Sequence, residues 1–277
     1  MYTFLYQFLL RIAIEPPFRL IVRHILKIFP LSARTRSFWE ISTRPAYLLG
    51  ILAAADQAAR EGVTEICVIE FGVAGGNGLI AMQQEAAAVE RETGIKIQIF
   101  GFDMGHEGLP SFIGDYRDHP DIWQPGDYPM NVDRLTKLLG PRTTLVLGNI
   151  ADTARSFFST HQPPAIGFIS IDVDLYSSTR DALRILEDTN CKMLRHAPIY
   201  FDDIDFMFNH KFAGELLAIE EFNAKSINVK LDRWYAVANG RPFPERHFLN
   251  KLYVAHDLNA SEPSRLARTA ATLPLLD

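Results

Sequence analysis

Five short apolar runs constrain this chain more than any other feature: Thr64–Phe71, Ile95–Phe102, Thr143–Leu147, Ala165–Ile171 and Ala197–Phe201. Each is followed at once by glycine or aspartate. Runs this short, bounded by turn formers, read as strands buried on both faces. Helical stretches at Leu79–Thr93, Val132–Leu139, Thr179–Leu194 and Ala213–Asn223 alternate with them, and Pro45–Ala59 reads as a helix ahead of the first. This alternation predicts an α/β fold with right-handed crossovers and a doubly wound, mostly parallel sheet. Ile227–Val237 and Asn250–His256 resemble an edge hairpin, which makes seven strands. Ligands of such sheets bind outside the carboxyl ends of the strands, so the chemistry is expected immediately after each run.

Composition narrows the function. The 277 residues are 48% hydrophobic and 22% charged, which excludes wholesale disorder. A net charge of -5 argues against a general nucleic-acid binder. Two cysteines exclude a disulfide framework and a Cys-rich zinc site. Cys67 in an apolar run and Cys191 in a helical one are expected as buried thiols, consistent with the cytoplasm.

The charge is uneven. Residues 1–60 carry eight Lys and Arg against three acids, a net +5, so the remainder carries −10. Three parts are expected: a helical extension over 1–60 (a cap or an oligomerisation element), a body over 61–258, and a tail over 259–277. Met1–Leu10 is apolar, but Arg11 and Pro16-Pro17 interrupt it well short of the ~20 residues that span a bilayer, and no secretory-signal pattern is present. Phe18–Phe29 reads as a helix with Arg19, Arg23 and Lys27 on one face and Leu20, Ile21, Ile25 and Ile28 away from it. Two readings follow: peripheral contact of residues 18–29 with an anionic membrane, or a cap or dimerisation helix whose basic stripe faces water. The second is preferred, and a homo-oligomer is expected.

After the first run comes Glu70-Phe71-Gly72-Val73-Ala74-Gly75-Gly76-Asn77-Gly78. Glycines let the backbone turn and approach a ligand closely. Gly76, Gly78 and Ala81 have dinucleotide-fingerprint spacing but begin several residues late. Glu70 with Gly72, Gly75 and Gly76 instead resembles the first motif of class I S-adenosylmethionine-dependent methyltransferases. Asp103, ending the second strand, suits ribose hydroxyls in either reading.

The later strand ends carry acids: Asp172-Val173-Asp174 and Asp202-Asp203. If these strands are neighbours, Asp172, Asp202 and Asp203 converge, and like charges raise one another's pKa. A hard cation such as Mg²⁺ relieves that repulsion and prefers oxygen ligands. Asp174 or Ser177 reads as a cap for the following helix.

Four ordered segments make the resemblance specific: Glu70–Gly76, Phe102–Pro110, Gly148–Thr153 and Ile171–Thr179, completed by Asp202-Asp203. Together they look like the macrocin O-methyltransferase family, over residues 64–237. The resemblance implies a Rossmann-like methyltransferase fold and an O-methyltransferase acting on a small hydroxylated molecule, a sugar or natural product. It implies that Glu70, Gly72, Gly75, Gly76, Asp103 and Met104 hold the methionine and ribose parts of S-adenosylmethionine, that Asn149 and Ile150 lie near adenine, and that Asp172, Asp202 and Asp203 bind Mg²⁺. A histidine base is expected in the long loop over 104–130, whose stretch Phe112–Trp123 reads as a substrate lid. None falls on the stretch near Gly126–Tyr128, so His106, His119, Asp127 and Tyr128 are the candidates. His106 and Asp127, with Asp172, form the expected catalytic set.

No Gly-x-Ser-x-Gly elbow, P-loop or paired-histidine zinc motif occurs. Arg44-Pro45 with Tyr47 has two readings, reach to the cofactor or packing for the helix it opens, and the second is preferred. Two alternatives stay open: a non-catalytic cofactor-binding or scaffold protein, and an NAD-dependent oxidoreductase, which gives no reason for Asp202-Asp203.

Overall fold

A computed structural model describes residues 2–206 and 209–260; residues 261–277 of the expected tail lie outside the described residues. The helices are α1 (Tyr2–Ile14), α2 (Phe18–Leu26), α3 (Ala33–Phe38), α4 (Pro45–Glu61), α5 (Asn77–Thr93), α6 (Val132–Thr136), α7 (Ile150–His161), α8 (Tyr176–Leu183) and α9 (Gly214–Lys225). The strands are β1 (Glu65–Phe71), β2 (Lys96–Asp103), β3 (Thr143–Leu147), β4 (Ala165–Ile171), β5 (His196–Phe201), β6 (Val229–Arg233) and β7 (Leu252–Asp257).

They form one seven-stranded sheet in the order β3-β2-β1-β4-β5-β7-β6. The first five pair in parallel, and β7 runs antiparallel between β5 and β6. The doubly wound, mostly parallel sheet is as the alternation predicts, and the late pair sits at the edge. Chain order reverses between β1 and β4, which opens a crevice at their carboxyl ends. Register keeps those ends level: Phe71 pairs with Phe102 and Ile171, and Ile171 pairs with Phe201.

The strand period of two divides the core. Cys67, Ile69 and Phe71 face the layer that contains Phe157, Tyr176 and Phe222. Ile66 and Val68 face α4 and α5. Glu70 therefore points toward α4, where Tyr47 waits. Tyr47, Leu48, Ile51, Ala54, Ala55 and Ala58 of α4 are fully buried. A division at residue 60 thus assigns to the extension a helix that belongs to the core.

Three expectations change. α7, between β3 and β4, follows Asn149, whose side chain caps it by accepting from the Ala151 N–H; no helix was expected there. The helix expected over Thr179–Leu194 starts at Tyr176 and gives way after Leu183 to a 3₁₀ turn at Arg184–Glu187. Asp188 stops it by accepting from the Asn190 N–H at 2.7 Å, a local bond that competes with helix. Cys191 consequently lies in a loop and is only half-buried, whereas Cys67 is buried as expected.

α4 lies close to β4 because Gly50 has no side chain: a Cβ there would stand 2.3 Å from the Phe168 ring. Gly50→Ala should therefore destabilise by about 1–3 kcal/mol through overpacking. Urea unfolding checks this, and unchanged stability would show that the helix can move away.

Candidate functional site

The site begins with Glu70, buried at 1% exposure. Its Oε1 accepts from the Tyr47 hydroxyl at 2.6 Å, and that hydroxyl accepts from Ser170 at 3.0 Å. Its Oε2 is buried with no partner. Burial pushes the carboxyl up to about 8, against the Tyr47 hydrogen bond. Two glycines make this packing possible. A Cβ on Gly78 would lie 2.0 Å from Oε1, and one on Gly72 (φ +85°) would lie 1.7 Å from the Asp172 carbonyl oxygen.

Asp103 locks the glycine loop. Its Oδ2 accepts from the Val73 and Ala74 N–H groups at 2.9 and 2.8 Å, and its Oδ1 from the Gly105 N–H at 2.7 Å. A carboxylate has about four accepting positions, so about one remains for a ligand. Burial nonetheless raises its pKa. Gly72, Asp103, Met104, Asn149 and Ile150 line one cleft beside β1 and β2, together with Asp127 and Tyr128. Gly75 lines an adjoining cleft, while Gly76 (φ +86°) starts α5 with Leu135 close above it.

That adjoining cleft holds Asp172, Asp174, Asp202 and Asp203 together with Arg44, Glu70, Trp123 and Tyr128. Burial, then Asp202 and Asp203, push Asp172 up to about 7. Burial, then Asp174 and Asp202, push Asp203 up to about 8. Asp202 accepts from the Tyr200 hydroxyl at 2.5 Å, and its carbonyl takes the Lys251 ammonium. The Asp203 N–H donates to Glu215 Oε2 at 2.8 Å, while Oε1 of this fully buried acid has no partner. Among the described residues no three potential ligands stand at chelating distance. The donor chemistry fits a hard cation, with its oxygens gathered in one cleft and not yet closed on a point.

Asp174 is not the expected cap. It has φ +61°, a strained conformation for a side-chain-bearing residue, and it lines both clefts. Its N–H donates to Asp203 Oδ2 at 3.2 Å. The cap of α8 is Asp118, from the long loop. This fully buried acid accepts from the Ser177 N–H at 2.8 Å, the Ser177 hydroxyl at 3.0 Å and the Ile113 N–H at 2.9 Å.

The expected bases separate. His106 sits exposed in a 3₁₀ turn at Gly105–Glu107 and lines neither cleft, because that turn carries the chain away from the strand ends. His119 packs its ring against Phe206 and His210, outside both clefts. Asp127 and Tyr128 face the site. Arg44 and Tyr47, expected as packing, also belong to it: the guanidinium stands 5.6 Å over the Tyr47 ring and feels Asp172, Glu70 and Asp202. Their adjacency to Pro45, at the start of a helix, was the available signal.

Two outcomes are expected. Asp118→Ala strands three donors and should cost about 2 kcal/mol or more by chemical denaturation. The second concerns pH. Glu70, Asp172, Asp174 and Asp203 have folded-state pKa values of about 7 to 8, against about 4 when unfolded. Their contribution to stability is full below about pH 4 and is lost as pH rises through the folded values. His119 and His196, whose pKa values burial lowers, are neutral in both states well above their ordinary value. Without divalent cations, Tm should therefore fall between about pH 6.5 and 8, and Asp203→Asn should flatten that fall.

No protein-family model matches the chain, and no curated protein matches it in sequence. Solved structures do match. The calicheamicin methyltransferase CalS11 superposes with a TM-score of 0.53 at 18% identity, covering 88% of this chain and 94% of that one. The O-methyltransferase NovP gives a TM-score of 0.47 at 19% identity over 65% and 72%. The sheet order, the switch point and the superposition on CalS11 together establish a Rossmann-like methyltransferase fold.

Proposed function

We propose that this protein is an S-adenosylmethionine-dependent O-methyltransferase acting on a small hydroxylated molecule, a sugar or glycosylated natural product. The observation that carries this is Glu70: a buried carboxylate oxygen with no partner, aimed into a glycine-walled cleft beside four aspartates. Such an orphan calls for a cationic donor, and the methionine ammonium supplies one. Arg44 then takes the methionine carboxylate. The remaining position of Asp103 takes a ribose hydroxyl, and Asn149 and Ile150 border the adenine. The fold's likeness to a methyltransferase supports the assignment.

Asp172, Asp202 and Asp203 would hold Mg²⁺, which when bound neutralises the cluster and lowers the pKa of an acceptor hydroxyl. Asp174, where the two clefts meet, replaces His106 as the proton acceptor of choice, with Asp127 facing it. S-adenosylmethionine, when bound, would supply a sulfonium methyl group, and the Asp174 carboxylate would orient the acceptor O–H and take up its proton. Positioning and exclusion of water do the rest. The two free thiols support work in the cytoplasm.

Calorimetry with S-adenosylmethionine should show binding that Glu70→Gln weakens about 10-fold or more; no binding at millimolar cofactor overturns the proposal. Asp174→Asn should lower kcat by about 10²–10⁴ with cofactor affinity kept. EDTA and Asp202→Ala should each abolish turnover, and activity surviving both refutes the metal. Cofactor binding without turnover on a panel of hydroxylated acceptors would favour a non-catalytic binding protein.

A further inference from the structure

α1 and α2 are built inside out. The basic residues Arg19 and Arg23 of α2 do not face water: both guanidinium groups stand over the buried ring of Phe243, at 5.2 and 5.5 Å. Arg19 also binds the Pro242 carbonyl at 2.9 Å and Glu245 at 2.7 Å. Arg23 donates to the Glu40 carbonyl at 2.8 Å. Arg19 and Arg23 of the expected solvated stripe therefore form the inner face of α2, while Lys27, at its C-cap, stays exposed. With the two arginines turned inward, the apolar face turns outward: Leu20, Ile21 and Ile25 are 50–53% exposed, and Ile28 just beyond is 79% exposed. On α1, Leu5, Phe8, Leu9 and Ile12 are 44–56% exposed at spacings of three and four, which puts them on one face.

Exposed apolar faces on two consecutive helices demand cover. We infer that α1 and α2 lie in the surface of an anionic phospholipid bilayer. Charge favours lipid over a second copy of the chain. The exposed charges on the two helices and the turns around them are Arg11 and Lys27, with Glu15 the single acid. A symmetric pair would bring these like charges together, whereas anionic headgroups complement them. The rest of the chain bears −10 after a first sixty residues of +5, so an anionic surface attracts the head and repels the body, which fixes one orientation. Helices of 13 and 9 residues cannot span a bilayer, and no helix among the described residues is long and apolar enough to do so. They lie along the interface with apolar side chains down.

Vesicle flotation tests this with the full chain. Wild type should float with phosphatidylcholine–phosphatidylglycerol vesicles, and several-fold less with phosphatidylcholine alone or in high salt. Ile21→Glu with Ile25→Glu should cut binding about tenfold or more. Phe8→Ser with Leu9→Ser is a second variant, on the other helix, and a retained melting transition confirms that each is folded. Equal recovery in solution from both vesicle types overturns the inference. So does a homodimer in light scattering that the same variants convert to monomer, because a second copy then covers the face. Neither result depends on cofactor binding.

Discussion

Everything in the site depends on one close approach. Where Gly72 leaves β1, its α-carbon passes so near the Asp172 carbonyl that a methyl group would overlap it. The contact is reinforced by backbone hydrogen bonds, from the Gly72 N–H to Phe102 and from the Asp172 N–H to Phe71. Three strand ends are thereby drawn to one line. Glu70 on β1 and the acid cluster after β4 then share a single crevice. A side chain at residue 72 would part the two strands and with them the two halves of the chemistry.

Bringing so many acids together is electrostatically unfavourable, and the site shows how that is contained. Arg44 and Lys251 are the cations close to the cluster, reaching it from α4 on one side and from the turn before β7 on the other. Backbone N–H groups do more: Asp103 takes three, and Asp203 and Glu215 take one each. What these leave over, at Glu70 Oε2 and Glu215 Oε1, is unfilled accepting capacity in a dry place.

Much of this was legible in the residues. Short apolar runs ending in glycine or aspartate located the strands and, through topology, the cleft. Glu70, Asp103, Asp172, Asp202 and Asp203 follow from position alone, because the carboxyl end of a parallel strand has only one place to go. Other features needed three dimensions. Periodicity separated the two faces of α2 but could not say which one met the body; Phe243, more than 200 residues away, decides that. His106 had the right chemistry, but its turn points it outward. Asp174 looked like a cap, and only a distant residue, Asp118, which already does that job, frees it.

Asp118 has a wider effect. It holds the long loop to the first turn of α8, the helix that continues from the acid-bearing turn after β4. The roof of the cleft and its acidic floor are thus joined by one buried carboxylate. The loop cannot swing aside without breaking the bonds that Asp118 makes to Ser177. Under the proposed function the cavity has its shape before an acceptor arrives, and selection falls on molecules already fitted to it rather than on those able to mould it.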